Sequence, residues 1–341
     1  RYTSGDDQAV NSTWIEQSWD LARREGGVLI LDEIQKGENW SERVKRLWDE
    51  DSRTGSGPKV FLLGSAPLQV HQGLGDSLAG RFERVPVFHW SLVEMRDAFG
   101  WDLEDYLYFG GYPGAVDLVE DWRRWMQYLQ DAIVATTVSK DILQMTRIHK
   151  PALLQRLFEL GVSYSGQVLS YQKMQGQLQD AGNTTTLAHY LELLSAAGLL
   201  TGLSKYSPGQ ARSRASSPKL MLYNTGLMTA MRKQPPSDFA PGQALRGRLV
   251  ESAVGAHLLN AIQGSSLDLS YWRERNREVD FVLRSGRDVL AIEVKSGKTQ
   301  AQVSGLQAFV DKNPGSRSLV VGGSAGMELE TFLSTPPQDL F

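Results

Sequence analysis

The sequence predicts an α/β protein in three successive parts: an α/β layer, a mostly helical middle and a second, smaller α/β unit. Three observations carry this. Two short, continuous apolar runs, Val28 to Leu31 and Val60 to Leu63, lie among helical stretches near the N-terminus, as buried parallel strands do. From Leu103 to Ala197 the apolar spacing becomes helical. Beyond a punctuated stretch at Gln234 to Gly242, strand-like runs return and continue almost to the C-terminus.

The elements follow in order. Trp14 to Arg24 reads as a polar helix, ended by Gly26 and Gly27 before the first strand. A Gly- and Ser-containing loop at Thr54 to Pro58 precedes the second strand. The helical middle is interrupted at Gly110, Gly111 and Pro113 and again around Gly161 to Gly166. A loop rich in Ser, Gly and Pro, Ser204 to Pro218, leads to Lys219 to Tyr223. The last part reads as a helix at Ala244 to Ile262, strands near Leu267 to Trp272, Val279 to Leu283 and Val289 to Val294, a helix at Gln302 to Phe309 and a strand at Ser318 to Val321. No repeat of solenoid period is present.

Composition bounds the function. A length of 341 residues suits two or three domains, and no apolar run approaches the roughly 20 residues needed to cross a bilayer. Arg1 to Val10 is polar and unlike a secretory signal. Zero cysteines exclude disulfides, thiolate zinc sites and cysteine nucleophiles, so the chain is read as cytoplasmic with no membrane partner. Lys and Arg number 36 against 39 Asp and Glu, a net charge of -3, so any nucleic-acid surface must be local. Between Glu192 and Asp238 there is no acidic residue, whereas Lys205, Arg212, Arg214, Lys219, Arg232 and Lys233 all fall there. That stretch is either such a surface or a solvated basic loop.

The first chemical constellation is Val28-Leu29-Ile30-Leu31-Asp32-Glu33, an apolar strand ending in paired carboxylates. Strand carboxyl ends face the ligand crevice of open α/β sheets. A Walker B pair has this form: the Asp holds magnesium, usually through water, and the Glu orients the attacking water. The next strand ends Leu63-Gly64-Ser65, which makes Ser65 a candidate phosphate sensor.

Leu31-Asp32-Glu33-Ile34-Gln35, Leu63-Gly64-Ser65, Leu78-Ala79-Gly80-Arg81, Trp90-Ser91-Leu92-Val93-Glu94 and Phe109-Gly110-Gly111-Tyr112-Pro113 resemble, in order and spacing, the predicted prokaryotic AAA+ ATPases whose C-terminal half carries a domain of unknown function. The resemblance implies ATP and magnesium as cofactors, and it implies for Arg81 a transition-state or domain-coupling role. The phosphate-cradling G-x-x-x-x-G-K-[ST] loop of that family does not precede Asp32, so the start at Arg1 reads as a truncation with an upstream element expected. Gly297-Lys298-Thr299 looks like the close of such a loop, but Ile292 stands where the first glycine is required, and it is rejected.

The second constellation is Asp280 followed thirteen residues later by Glu293-Val294-Lys295. This spacing resembles the PD-(D/E)xK phosphodiesterase fold, whose carboxylates bind magnesium and whose lysine activates water. Strict alternation puts Asp280 and Val282 on one face, with Val279, Phe281 and Leu283 on the other. Glu251, on the preceding helix between Gly247 and Gly255, is the further carboxylate. Metal ligands would be Glu251, Asp280 and Glu293, with Lys295 catalytic; the alternative is a degenerate nuclease fold with a plain Glu-Lys ion pair.

The third constellation is helical: Leu153 to Leu160, Tyr171 to Leu178 and Thr184 to Ala196, followed by Gly198-Leu199-Leu200 and the basic loop, is the order of a winged helix. Asn183 or Thr184 would cap the third helix. If DNA is the partner, Thr185, Thr186 and His189 face the groove and Arg212 and Arg214 meet phosphate. A protein partner is the alternative use of such a domain. The five histidines show no metal-ligand spacing, and no Ser-His-Asp order is visible.

The expected organisation is a partial P-loop AAA+ core over 1–100, a helical linker or lid over 101–150, a winged helix-turn-helix over 151–236 and a PD-(D/E)xK-like α/β domain over 237–341. The expected activity is ATP hydrolysis coupled to the C-terminal half. The alternatives are a metal-dependent DNA-binding or DNA-cleaving module with the ATPase half as scaffold, and an interaction protein with both sites decayed. Oligomeric state is left open.

Overall fold

Leu29 and Leu31 are fully buried on one face of a parallel sheet, against Trp14, Ile15, Trp19, Trp40, Val44 and Leu47 from two helices. The sheet joins β1 (Tyr2–Ser4), β2 (Val28–Asp32) and β3 (Lys59–Leu62) in that order, and the helices are α1 (Trp14–Glu25) and α2 (Trp40–Thr54). The register sets Ser4 beside Asp32 and Leu31 beside Leu62. This is a computed structural model that describes residues 1–7, 13–64, 77–142, 148, 150–208, 216–297 and 304–341. It divides into two units, 1–85 with 140–147 and 86–139 with 148–341.

Among the described residues the helices cover one face of the first sheet. On the other face Tyr2 is 60% exposed, Phe61 52% and Leu63 43%, whereas parallel sheets ordinarily bury both faces. Among the described residues no strand pairs with the outer edge of β3. The strand β1 is not anticipated by apolar patterning: three residues are too few to show a period, and pairing with β2 decides it.

In the second unit, α3 (Leu92–Phe99) starts at a reciprocal capping box in which Ser91 Oγ accepts from the Glu94 amide and Glu94 accepts from the Ser91 amide. Asp102 and Asp105 repeat the device for α4 (Leu103–Phe109). Gly110 and Gly111 follow, then α5 (Trp122–Tyr128). His89 lies half-buried beside them; its Nε2 donates to the Gly198 carbonyl at 2.9 Å, and Asn224 Nδ2 donates to Nδ1 at 3.3 Å.

Burial holds the His89 imidazole below the ordinary histidine range. The unfolded chain therefore binds a proton there that the folded chain refuses, and stability falls as pH drops below about 6.5 towards the depressed native value. His257, half-buried with its Nε2 on the Thr335 carbonyl, is displaced the same way for the same reason. Urea midpoints at pH 7.5 and 5.5 are expected to differ less in His89→Gln than in the wild type. The wild-type slope contributed by each imidazole approaches about 1.4 kcal/mol per pH unit at most. An unchanged pH dependence in the variant counts against the assignment.

The middle part follows the expected order. Helices α6 (Pro151–Ser163), α7 (Tyr171–Gln177) and α8 (Thr184–Ala196) precede a hairpin of β4 (Leu200–Leu203) and β5 (Lys219–Leu222), and α9 (Thr225–Arg232) follows it. Asn183 is the cap of α8, its Oδ1 accepting from the Thr186 amide at 2.8 Å. The segment before α7 pairs with the free side of β5, through Gly166 to Leu220 and Leu220 to Gln167.

The last part packs α10 (Arg246–Ile262) and α11 (Ser304–Lys312) on a sheet ordered β6 (Leu267–Glu274), β7 (Arg277–Ser285), β8 (Asp288–Lys295) and β9 (Arg317–Gly322). Only β8 and β9 are parallel neighbours. The strict alternation expected along β7 fails at one place. Ser270 to Trp272 of β6 opposes Val279 to Val282 of β7, which leaves one extra residue on β7. The bulge puts Val279 and Val282 together in the core with Leu306 and Phe309, instead of on opposite faces. Asp280 and Phe281 are left beside each other at Lys219.

Candidate functional site

Asp32 closes β2 at the carboxyl edge of the first sheet, half-buried. Its Oδ1 accepts from the Glu33 amide at 2.9 Å, and its Oδ2 accepts from the Tyr2 hydroxyl at 2.5 Å. The carboxylate in turn raises the Tyr2 hydroxyl above its ordinary range. Glu33 stands in the left-handed region at φ 48°, an uncommon place for a residue with a side chain and one that clusters at functional sites. Its Oε2 accepts from Gln35 Nε2 at 2.7 Å and lies 3.9 Å from Lys36 Nζ. Leu63, on the way to Ser65, donates to Leu31 and accepts from Ile34, so that segment leaves β3 beside Asp32 and Glu33. Ser65 itself lies outside the described residues.

Arg81 is drawn to α2. Its Nε donates to Asp49 Oδ1 at 3.0 Å, and its guanidinium carbon lies 5.5 Å from the Trp48 ring centre. Lys36 also pairs with Asp6, so the loop after β1 is tied to the turn that follows Glu33.

Of the four residues of the nuclease-like constellation, Glu251 and Asp280 meet at a buried cation, Lys219, while Glu293 pairs with Lys295. Lys219, the first residue of β5, is fully buried. Its Nζ lies 2.7 Å from Glu251 Oε1, 3.3 Å from Asp280 Oδ1 and 3.8 Å from Glu278 Oε1. Asp280 Oδ2 accepts from the Val294 amide at 2.8 Å, where the β7–β8 ladder has ended. Lys295 is spent on its neighbour Glu293, at 2.7 Å. Burial raises Glu251 to about 7 against the pull of Lys219, and raises Glu293 as well, with Asp280 adding to it. Lys219 is held above the ordinary lysine range by Asp280 and Glu251, which outweigh its burial. Among the described residues no group of three or more acidic or histidine side chains is arranged to hold a metal ion. The set Glu251, Asp280 and Glu293 therefore differs from the expected ligand cluster, because an ammonium sits among the carboxylates. The sequence signals of Lys219 are its place in the acid-free stretch between Glu192 and Asp238 and the lone charge it sets at the head of the apolar run Leu220-Met221-Leu222-Tyr223.

On α8, Thr185 and His189 are exposed. Thr186 is half-buried and its hydroxyl donates to Asn183 Oδ1 at 2.9 Å, so it serves the cap. Arg212 and Arg214 lie outside the described residues, as do Lys298 and Thr299 of the rejected loop. The hairpin next to α8 is joined to the last sheet: Tyr271 donates to Ser204 at 3.1 Å, Tyr206 donates to Tyr271 at 2.6 Å, and the Tyr206 ring packs on Phe309.

Comparison with known proteins places names beside these parts. Residues 2–96 match the family profile of an AAA domain, and the N-terminal part is AAA-like. Residues 100–238 and 246–336 match two domains of unknown function, DUF8612 and DUF4143. The chain is similar to the uncharacterized protein Rv2008c of Mycobacterium tuberculosis, 25% identical over 328 residues, which is 92% of this chain and 69% of the relative. It is also similar to the uncharacterized protein MJ1544 of Methanocaldococcus jannaschii, 22% identical over 279 residues, 75% of this chain and 58% of the relative. A solved structure, protein VC1899 from Vibrio cholerae, aligns at 16% identity over 89% of this chain and 83% of that one, with a TM-score of 0.19. No described helix is long and apolar enough to cross a membrane.

Proposed function

We propose that the N-terminal unit is the magnesium- and water-handling half of an ATP-hydrolysing site, coupled to the C-terminal half of the chain. The observation that carries this is Asp32-Glu33 at the carboxyl end of the central strand of a parallel sheet, beside a strand whose outer edge has no partner among the described residues. The AAA-domain match over residues 2–96 supports it. A phosphate-cradling loop carried on a strand paired with the outer edge of β3, where no described strand lies, would complete the crevice.

The donor set fits magnesium, which keeps several waters and takes one or two carboxylates together with phosphate oxygens. Asp32 is fixed from both sides, by its neighbour's amide and by Tyr2, and each oxygen keeps a lone pair for a magnesium-bound water. The ion, when bound, offsets charge on the phosphoryl oxygens. Glu33 Oε2 is tied to Gln35, which leaves Oε1 to accept from the attacking water and hold it in line. Ser65 would donate to the terminal phosphate, and Arg81, paired with Asp49, would pass the change to α2. Phosphate release is the test, on a chain extended to carry the phosphate loop and beside Glu33→Gln; equal rates end the reading.

A second reading gives α8 a nucleic-acid partner, because Thr185 and His189 are exposed on it. The hairpin beside it is engaged with the last sheet, so α8 would act with little help from a wing. Fluorescence anisotropy with duplex DNA across a salt series checks this: affinity is expected to fall steeply with salt, and a flat response removes the reading in favour of a protein partner.

A further inference from the structure

The ammonium of Lys219 donates to the Asp280 carbonyl at 3.2 Å and to Asp280 Oδ1 at 3.3 Å, and it forms an ion pair with Glu251, whose Oε1 lies 2.7 Å away. Glu278 adds a third carboxylate at 3.8 Å, and Phe281 offers its ring face, 4.9 Å from Nζ to the ring centre. The lysine comes from a different part of the chain than its partners: β5 belongs to the hairpin after α8, while Glu251 lies on α10 and the other acids on β7. Both sides are built to meet. Gly255 of α10 leaves room where a Cβ would strike Met221 at 2.0 Å, and the bulge in β7 turns Asp280 and Phe281 to the same side. Glycine at 166 has the same effect, since a Cβ there would press on the Glu251 carboxyl at 3.1 Å.

We propose that Lys219 is the resident cation of this carboxylate centre, and that the centre is a latch fastening the β4–β5 hairpin to the last sheet in place of a divalent-metal phosphodiesterase site. A magnesium or manganese ion needs carboxylate oxygens at about 2.1 Å. One oxygen of Glu251 and one of Asp280 already converge on Nζ, the second Asp280 oxygen accepts from the Val294 amide, and a divalent ion beside an ammonium meets strong like-charge repulsion. The lysine of the expected motif is spent too, since Lys295 neutralises Glu293. The backbone links of Ser204 and Tyr206 to Tyr271 run beside the ion cluster and hold the same two parts together.

The two uses of the centre predict opposite signs in metal-free protein. Repelling carboxylates awaiting a metal gain stability when one is neutralised, whereas carboxylates serving an ammonium lose it. In the full chain with EDTA, Asp280→Asn and Lys219→Met are both expected to melt lower than wild type, by roughly 10 °C for the lysine change, since each strips a buried ion of its partner. A higher melting temperature for Asp280→Asn, or an unchanged one for Lys219→Met, overturns the latch. Should Lys219→Met yield no soluble protein, Asp280→Asn decides the sign by itself. A calorimetric titration of the wild type with MnCl2 forms the second arm. It is expected to give the same isotherm as Asp280→Asn, and manganese binding present in the wild type and lost in the variant overturns the proposal.

Discussion

Replacing Glu33 by Gln is expected to lower ATP turnover by about two to three orders of magnitude in a chain that carries the phosphate loop, with nucleotide binding little changed. The substitution keeps the length of the side chain and its backbone demand. A Gln oxygen still accepts from Gln35, so the left-handed turn at φ 48° and the 3-10 turn after it stay in place. What is lost is the charge on the oxygen that faces water. A carboxylate that holds a water for attack acts mainly in the transition state, so the loss falls on kcat and leaves binding alone. Asp32→Asn is expected to differ, since on the proposed reading Asp32 would hold the ion, and it also accepts from Tyr2. Phosphate release and nucleotide affinity measured together separate the cases. A Glu33→Gln protein that turns over like its parent removes the Walker B assignment.

Gly111→Ala is expected to cost about 3 kcal/mol or more of folding stability, which is large against the whole stability of a domain. A Cβ at this position would lie 2.0 Å from the Trp90 carbonyl oxygen and 2.8 Å from its carbon, and backbone atoms cannot swing aside as a side-chain tip can. Trp90 is held on its other side as well. Its carbonyl accepts from the Tyr106 hydroxyl at 3.2 Å, and the next residue begins the Ser91–Glu94 capping box. The neighbouring Gly110 has φ 70°, and a Cβ there would strike the Asn224 side chain and the Gly226 amide. The motifs around Trp90 and Gly110-Gly111 are thus two halves of one backbone contact. Gly114→Ala is the control, because a Cβ there meets only the Tyr128 hydroxyl at 3.5 Å. Equal denaturant midpoints for Gly111→Ala and Gly114→Ala contradict the steric account.

Much of the element order is legible in the chain because burial leaves a period. Leu29 and Leu31 mark β2, the Asn183 cap marks a helix start, and the apolar run Val289 to Val294 marks β8. The site at Asp32 and Glu33 is legible for a related reason: two charges ending an apolar run must lie where the strand leaves the core. Tyr2 escapes notice because β1 is short and exposed, and its place depends on pairing with a strand far along the chain.

The terminal carboxylates show the division most sharply. Local sequence determines that Glu251 is helical and that Asp280, Glu293 and Lys295 sit on strands, since propensity and apolar spacing act over a few residues. It could not reveal which cation they face. Lys219 is 32 residues from Glu251 and 61 from Asp280 in the numbering of the chain. Packing of the hairpin against the last sheet and a one-residue bulge in β7 bring them together. Charge neutralisation in a buried place is a property of that assembled interior, and only tertiary structure decides it.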